Sequence, residues 1–384
     1  MNSSEGSGPI RLLSLDGGGV HELSSLMILR DIMDKVNEGQ PQGHRLEPCD
    51  VFDLIGGTGT GGLVALMLGR LRMKLEDVEK EYIQLSKQVA ANYTKVGFFK
   101  LNGVFDSGVL EHEIRRIIPA EPVELGTPEK QEPLVETPGQ HKPCKVFVFT
   151  QHQGDQAPAI LRTYITEDEV SNKESKDAEL WEAAFATYAV RPFFRPDGIV
   201  KIAGQPITDD SSRTPNPIAR VYHEAHHVWP HHVDFFLLSI GTGRGPQLRQ
   251  MSSMGTLSRA LRSMAEKSEK ATQEFVQRHQ QMLDNHRLFR FSVEKKLDVN
   301  ESKVHHTLTS EVEAYLESFE IASEIESCVE ELKREIQGMA PLNLIGRELL
   351  QPQNYAVIVI LVSSTMINIV TVPIAAQLSA NVAK

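Results

Sequence analysis

Two glycine-rich turns and a few carboxylates near them are where this sequence could do chemistry. Gly57-Thr58-Gly59-Thr60-Gly61 follows a short apolar run at 51–55 and precedes a buried-helix pattern at 63–68. A strand-to-helix turn flanked by glycines is where α/β hydrolases hold a nucleophile, because side chains at the flanking positions would collide with the turn. The central residue is Gly59, so no nucleophile stands there. A second turn, Asp16-Gly17-Gly18-Gly19, also leads from a strand into a helix. Its backbone N–H groups suit an anion or the oxyanion of a tetrahedral intermediate. A dinucleotide fingerprint needs glycine at the sixth position, where Glu22 stands, and that carboxylate would repel a pyrophosphate. No cofactor is expected.

A rival site lies further on. His223-Glu224-Ala225-His226-His227 satisfies His-Glu-x-x-His. On a helix, His223 and His227 share one face and could hold zinc, with Glu224 as general base and His231 or His232 as a third ligand. The plainer reading is a histidine-rich solvated helix in a chain with 14 histidines, and no metal is expected.

The elements that position these turns follow from periodicity. Apolar runs at 10–15, 51–55, 146–149 and 235–240 read as buried strands. Helical spacing recurs at 23–36, 63–68 and 181–188, and amphipathic patterns run over about 258–282 and 311–337. Strand, glycine turn, helix, occurring twice, predicts an α/β fold with a largely parallel sheet. Six prolines among polar neighbours mark 119–143 as a surface loop. Residues 1–8 are polar and lack the basic start and apolar core of a signal peptide, so an intracellular, non-secreted protein is expected. The net charge of −11 argues against a nucleic-acid partner. Three distant cysteines make neither a disulfide framework nor a Cys-based zinc site and suit a reducing compartment. The stretch 355–376 carries no charge. It is long enough to anchor the protein in a membrane as one helix, or it forms a buried strand-turn-strand.

Taken together, these blocks resemble the patatin-like phospholipase family, closest to its fungal members. The family's Asp-Gly-Gly-Gly-x-Arg-Gly turn matches residues 16–20, and its Gly-Thr-Ser-Thr-Gly-Gly block after Phe-Asp-Leu-Ile-Gly matches residues 52–62 except at Gly59. Trp181-Glu182-Ala183-Ala184, Pro192-Phe193-Phe194 and Ser239-Ile240-Gly241-Thr242-Gly243 resemble later family blocks. Counting back from Asn216-Pro217 puts Asp209 where the family has its catalytic aspartate, in an Asp-Gly-Gly or Asp-Gly-Ala turn. The resemblance implies a patatin-type three-layer α/β/α sandwich over residues 9–338, leaving 339–384 as a tail.

It also implies roles. In the family a serine and an aspartate form a dyad, and the glycine turn, here Gly17, Gly18 and Gly19, stabilises the oxyanion. This chain departs at all three parts: Gly59 replaces the serine, His21-Glu22 replaces Arg-Gly, and Asp209-Asp210-Ser211 replaces the glycine-bearing aspartate turn. Glycine at a strained elbow relieves about 1–3 kcal/mol. Thr58 and Thr60 leave the elbow in other directions. Loss of the elbow hydroxyl is expected to deprive Asp209 of its hydrogen-bond partner, leave room for a water, and raise the carboxyl's pKa. Three functions are compatible: a non-hydrolytic protein binding a lipid or apolar small molecule, a repurposed enzyme, or a lipid acyl hydrolase disabled at residue 59. The second would run acid–base or cyclisation-type chemistry, for example in a fungal biosynthetic pathway, on His21, Glu22, Asp209 and Asp210.

Overall fold

Leu12, Leu13 and Leu15 are so apolar that β1 (Ile10–Leu15) can only be a central strand, and all six of its residues are buried. The computed structural model describes residues 8–41, 44–92, 105–118, 144–153, 157–166, 175, 178–190, 194, 200–202, 204–243, 256–293, 304–338, 356–363 and 366–373. The proline-rich stretch 119–143 lies outside them. By its internal contacts the chain divides into two units, one of residues 1–132 and 143–333, the other of 133–142 and 334–384.

In the first unit β1 is flanked on both sides by parallel partners, β2 (Leu54–Thr58) and β7 (Phe235–Ile240). β3 (Lys145–His152) extends the parallel run beyond β2, and β8 (Leu288–Phe291) extends it beyond β7. The sheet then turns antiparallel at one edge. β4 (Pro158–Arg162) and β6 (Gln205–Asp209) both pair antiparallel with β3, and β5 (Val200–Ile202) pairs with β6. Sequence periodicity indicates the parallel core, while the short antiparallel strands at 158–162 and 200–209 are too polar and too brief to register.

Helices cover both faces. They are α1 (Glu22–Val36), α2 (Thr60–Ala65), α3 (Leu75–Ala91), α4 (Ser107–Ile117), α5 (Leu180–Tyr188), α6 (Ile218–Val228), α7 (Thr256–Arg278), α8 (Val304–Leu316) and α9 (Phe319–Gly338). Side chains alternate across a strand. Leu12, Leu54, Phe147 and Leu237 therefore share one core with Ile218 and Val221 of α6 and Phe275 of α7. Leu13, Ile55 and Leu238, equally buried, fall on the opposite face. The result is a three-layer α/β/α sandwich. The amphipathic pattern read as one helix over 311–337 is two, α8 and α9, with a break before Phe319.

Register positions the chemistry. Leu15 of β1 lies opposite both Gly57 of β2 and Ile240 of β7, so the two glycine turns leave the sheet side by side at the carboxyl ends of parallel strands. In open α/β sheets ligands bind at that edge. β6 runs the other way, but its last residue, Asp209, pairs with Thr150, one residue beyond the Thr58–Phe149 pair. The aspartate is thus delivered to the same edge as the glycine turns.

In the second unit, β9 (Ala356–Ser363) and β10 (Met366–Pro373) form an antiparallel hairpin. Within the charge-free stretch at 355–376 the described residues are these two strands. Among the described residues, no helix is long and apolar enough to cross a membrane.

Candidate active site

The elbow has the backbone its sequence pattern predicts. Gly59, at the junction of β2 and α2, sits at φ 59° and ψ −132°. A side chain is strained there, and glycine is not. The neighbouring glycines are required by contact: a Cβ on Gly57 would lie 2.3 Å from the carbonyl oxygen of Gly61, and one on Gly61 would lie 2.4 Å from that of Asp16. Gly59 differs from both. Its nearest neighbours are side-chain atoms, with a built Cβ 3.0 Å from Ser211 Cβ and 3.1 Å from Ser211 Oγ. The volume beside the elbow's central residue is occupied by Ser211.

The glycine turn is held from several sides. Asp16 accepts two hydrogen bonds from Arg290, at 2.9 and 2.6 Å, and a third from Ser268 Oγ at 2.6 Å. Gly17 N–H donates to the carbonyl of Pro215 at 2.9 Å. Gly18 N–H donates to Thr60 Oγ1 at 3.1 Å, and that hydroxyl donates onward to Glu22 Oε2 at 2.7 Å. Two of the three turn amides are therefore engaged within the protein. Tyr82, fully buried, donates to the Gly19 carbonyl at 2.6 Å. Burial raises its phenol pKa well above the ordinary value, with Tyr188 and Glu22 adding to the effect.

Asp209 closes the site. Its Oδ2 accepts from both the backbone N–H and the hydroxyl of Ser211, each at 2.8 Å. Its Oδ1 has no hydrogen-bond partner among the described residues. Burial pushes the carboxyl up to about 8, against the pull of those two Ser211 bonds and with a smaller push from Asp210. The expected direction of that shift therefore holds, but the expected environment does not. The carboxyl keeps a hydroxyl partner, and the space reserved for a water holds the Ser211 side chain. A methylene and a hydroxyl two residues along the chain reach the volume that the elbow leaves open.

The other sequence candidates fall into place around this centre. Asp210, whose pKa burial also raises, lies 3.8 Å from Arg220. Glu22 is fully buried and tied to Thr60, whereas His21 is half-buried, at the start of α1. The zinc reading does not survive. His223 and His227 are exposed, but Glu224 points into the core, where it accepts from Arg162 at 2.6 and 2.9 Å and from Tyr164 at 2.8 Å. A carboxylate locked into that network cannot serve a metal-bound water. Among the described residues no cluster of three or more His, Cys, Asp or Glu side chains could hold a metal ion. Sequence reasoning passed over Ser211. The available signal was a hydroxyl two residues from the aspartate in a chain whose elbow had lost its own.

Fold and site together define an α/β protein in which two glycine turns and the Asp209 turn meet at one edge of a largely parallel sheet, with glycine at the centre of the strand-to-helix elbow. The profile of the family described as "Patatin-like phospholipase" matches residues 13–219, and the chain belongs to that family. Human calcium-independent phospholipase A2-gamma is 27% identical over 242 residues, covering 61% of this chain and 28% of the relative. The chain thus spans little more than a quarter of that relative's length. An Arabidopsis thaliana protein named "Probable inactive patatin-like protein 9" is 24% identical over 215 residues, 53% of this chain and 50% of its own. Among solved structures, VipD from Legionella pneumophila aligns at a TM-score of 0.36 and 8% identity, over 80% of this chain and 68% of its own, too loose a likeness to carry an argument.

Proposed function

We propose that this protein binds a lipid or another apolar acyl compound at its patatin-type site and does not turn it over through an elbow nucleophile. The observation that carries the reading is the Gly59–Ser211 contact: the residue at the elbow's centre has no hydroxyl, and its side-chain volume is filled from the aspartate turn. Glu22 supports it independently. Once ionised, that buried carboxylate stands one hydroxyl away from Gly18 N–H and opposes the negative charge that a tetrahedral intermediate would develop. Membership of a phospholipase family, with relatives named as phospholipases, points to a lipid as the ligand class. The name of the Arabidopsis relative is in keeping with a loss of hydrolysis.

The test pairs binding with turnover. Full-length protein is titrated with a fluorescent fatty acid, and release of free fatty acid from short-chain phosphatidylcholine is followed at steady state. Saturable binding with fewer than one product per protein chain is the expected result. Sustained multiple turnover by the unaltered chain, or no saturable binding, overturns the proposal.

A second reading has one observation in its favour. Asp209 has a pKa of about 8 and a carboxyl oxygen without a partner among the described residues, which suits a proton donor or acceptor near neutral pH. If the protein runs non-covalent acid–base chemistry, Asp209→Asn abolishes product while leaving lipid affinity unchanged.

A further inference from the structure

The serine that is absent from the elbow has a counterpart across the site. Ser211 Oγ donates to Asp209 Oδ2 at 2.8 Å, the contact by which a carboxylate base takes a proton from a nucleophilic hydroxyl. The same hydroxyl lies 3.1 Å from where a Gly59 Cβ would stand, and Ser211 Cβ lies 3.1 Å from where a Gly17 Cβ would stand. It therefore sits between the elbow and the glycine turn. Asp209 is held for this task. Gln151 donates to its backbone carbonyl at 2.9 Å, and the turn behind it is closed by Arg213 and Thr214 N–H groups donating to the Asp210 carbonyl, both at 2.9 Å. Of the turn amides, Gly19 N–H has no acceptor among the described residues, and Gly19 is the one of the three glycines that is partly exposed.

We infer that Ser211 is a displaced nucleophile: paired with Asp209, it accepts an acyl group from a small carboxylic ester and keeps it. With Asp209 ionised, Ser211 Oγ bonds to the ester carbonyl carbon as its proton passes to Asp209 Oδ2. The carbonyl–alkoxy bond then breaks, and the alcohol leaves with that proton. No oxidant, reductant or metal enters the balance. Ser211 is fully enclosed, which slows entry of the ester and also keeps water from the acyl-serine, so one acyl group per chain accumulates in place of turnover. The inference rests on the binding proposal only in that an acyl ester must reach the elbow.

The experiment uses full-length protein with two small probes, p-nitrophenyl acetate and a short-chain alkyl fluorophosphonate, read by intact-protein mass spectrometry and peptide mapping. One adduct per chain on the peptide carrying Ser211 is expected. It should vanish in Ser211→Ala, and labelling should slow about a hundredfold or more in Asp209→Asn, the usual contribution of a positioned general base. Peptide mapping of the unaltered chain decides the matter even if Ser211→Ala fails to fold. An adduct on another residue, or none at Ser211 while the fluorescent fatty acid binds saturably, overturns the inference and leaves the binding proposal standing. Labelling of Ser211 without saturable fatty-acid binding does the reverse.

Discussion

The elbow and the aspartate turn meet at the same edge of the sheet, yet they treat glycine in opposite ways. At the elbow, Gly57 and Gly61 approach backbone oxygens so closely that no side chain fits. At the aspartate turn, the positions that the resemblance assigns to glycine carry Asp210 and Ser211, and Ser211 is accommodated without exposure. Where the obstacle to a Cβ is backbone, sequence has no freedom; where it is another side chain, two positions can exchange volume. Residues 59 and 211 form such a pair. The aspartate turn grows into the site, and the elbow recedes.

The largest effect should come from violating a backbone contact. Gly57→Ala forces a methyl against the Gly61 carbonyl at 2.3 Å, in a layer with no room to shift. A loss of about 3 kcal/mol is expected, measured as a fall in urea midpoint. A change under about 0.5 kcal/mol would mean that the elbow is more plastic than its contacts imply.

Next comes the exchange between 59 and 211. Gly59→Ser alone adds a side chain at φ 59° and presses it on Ser211, costing about 1–3 kcal/mol. Adding Ser211→Gly should recover at least about 1 kcal/mol of that, a coupling typical of residues in contact. Only this double variant has both a hydroxyl at the elbow's centre and room for it, so it is the form in which ester hydrolysis should be sought. Purely additive stabilities would mean that positions 59 and 211 do not exchange volume.

A pH-dependent effect is expected at Asp209. Its folded pKa, about 8, is raised from the ordinary 3.8. The folded chain therefore holds a proton that the unfolded chain has released between those values. This contribution to stability is fully present below about pH 4, declines as pH rises through the folded pKa, and is constant beyond it. Asp209→Asn removes the decline, so the variant should melt above the parent at pH 8 by a margin that shrinks toward pH 5. A margin that grows on acidification would show a carboxyl ionised in the fold.

The smallest effect should be that of His227→Ala. With Glu224 bound to Arg162 and Tyr164, the exposed His227 has no general base beside it. Melting temperature and fatty-acid affinity should not change with or without added zinc. A zinc-dependent rise in melting temperature that the variant loses would reinstate a metal at that helix.

The sequence by itself determined the parallel core, both glycine turns and the position of Asp209. The first two are local, since runs of Leu, Ile and Phe state burial and glycine spacing states a tight turn, whereas Asp209 is marked by the family resemblance, counting back from Asn216-Pro217. It also showed that the elbow lacks a hydroxyl. Tertiary structure alone decided where a hydroxyl then comes from. Ser211 and Gly59 are 152 positions apart in the chain. Only the antiparallel register of β6 on β3, which pairs Asp209 with Thr150, carries the first to the second. Glu224 follows the same logic. Its spacing from two histidines is local and suggested zinc, but its partners, Arg162 and Tyr164, lie on and just after a strand about sixty residues earlier and turn it inward. A buried carboxylate takes the role its partners allow, and those partners are chosen by strand pairing, which spacing along the chain does not record.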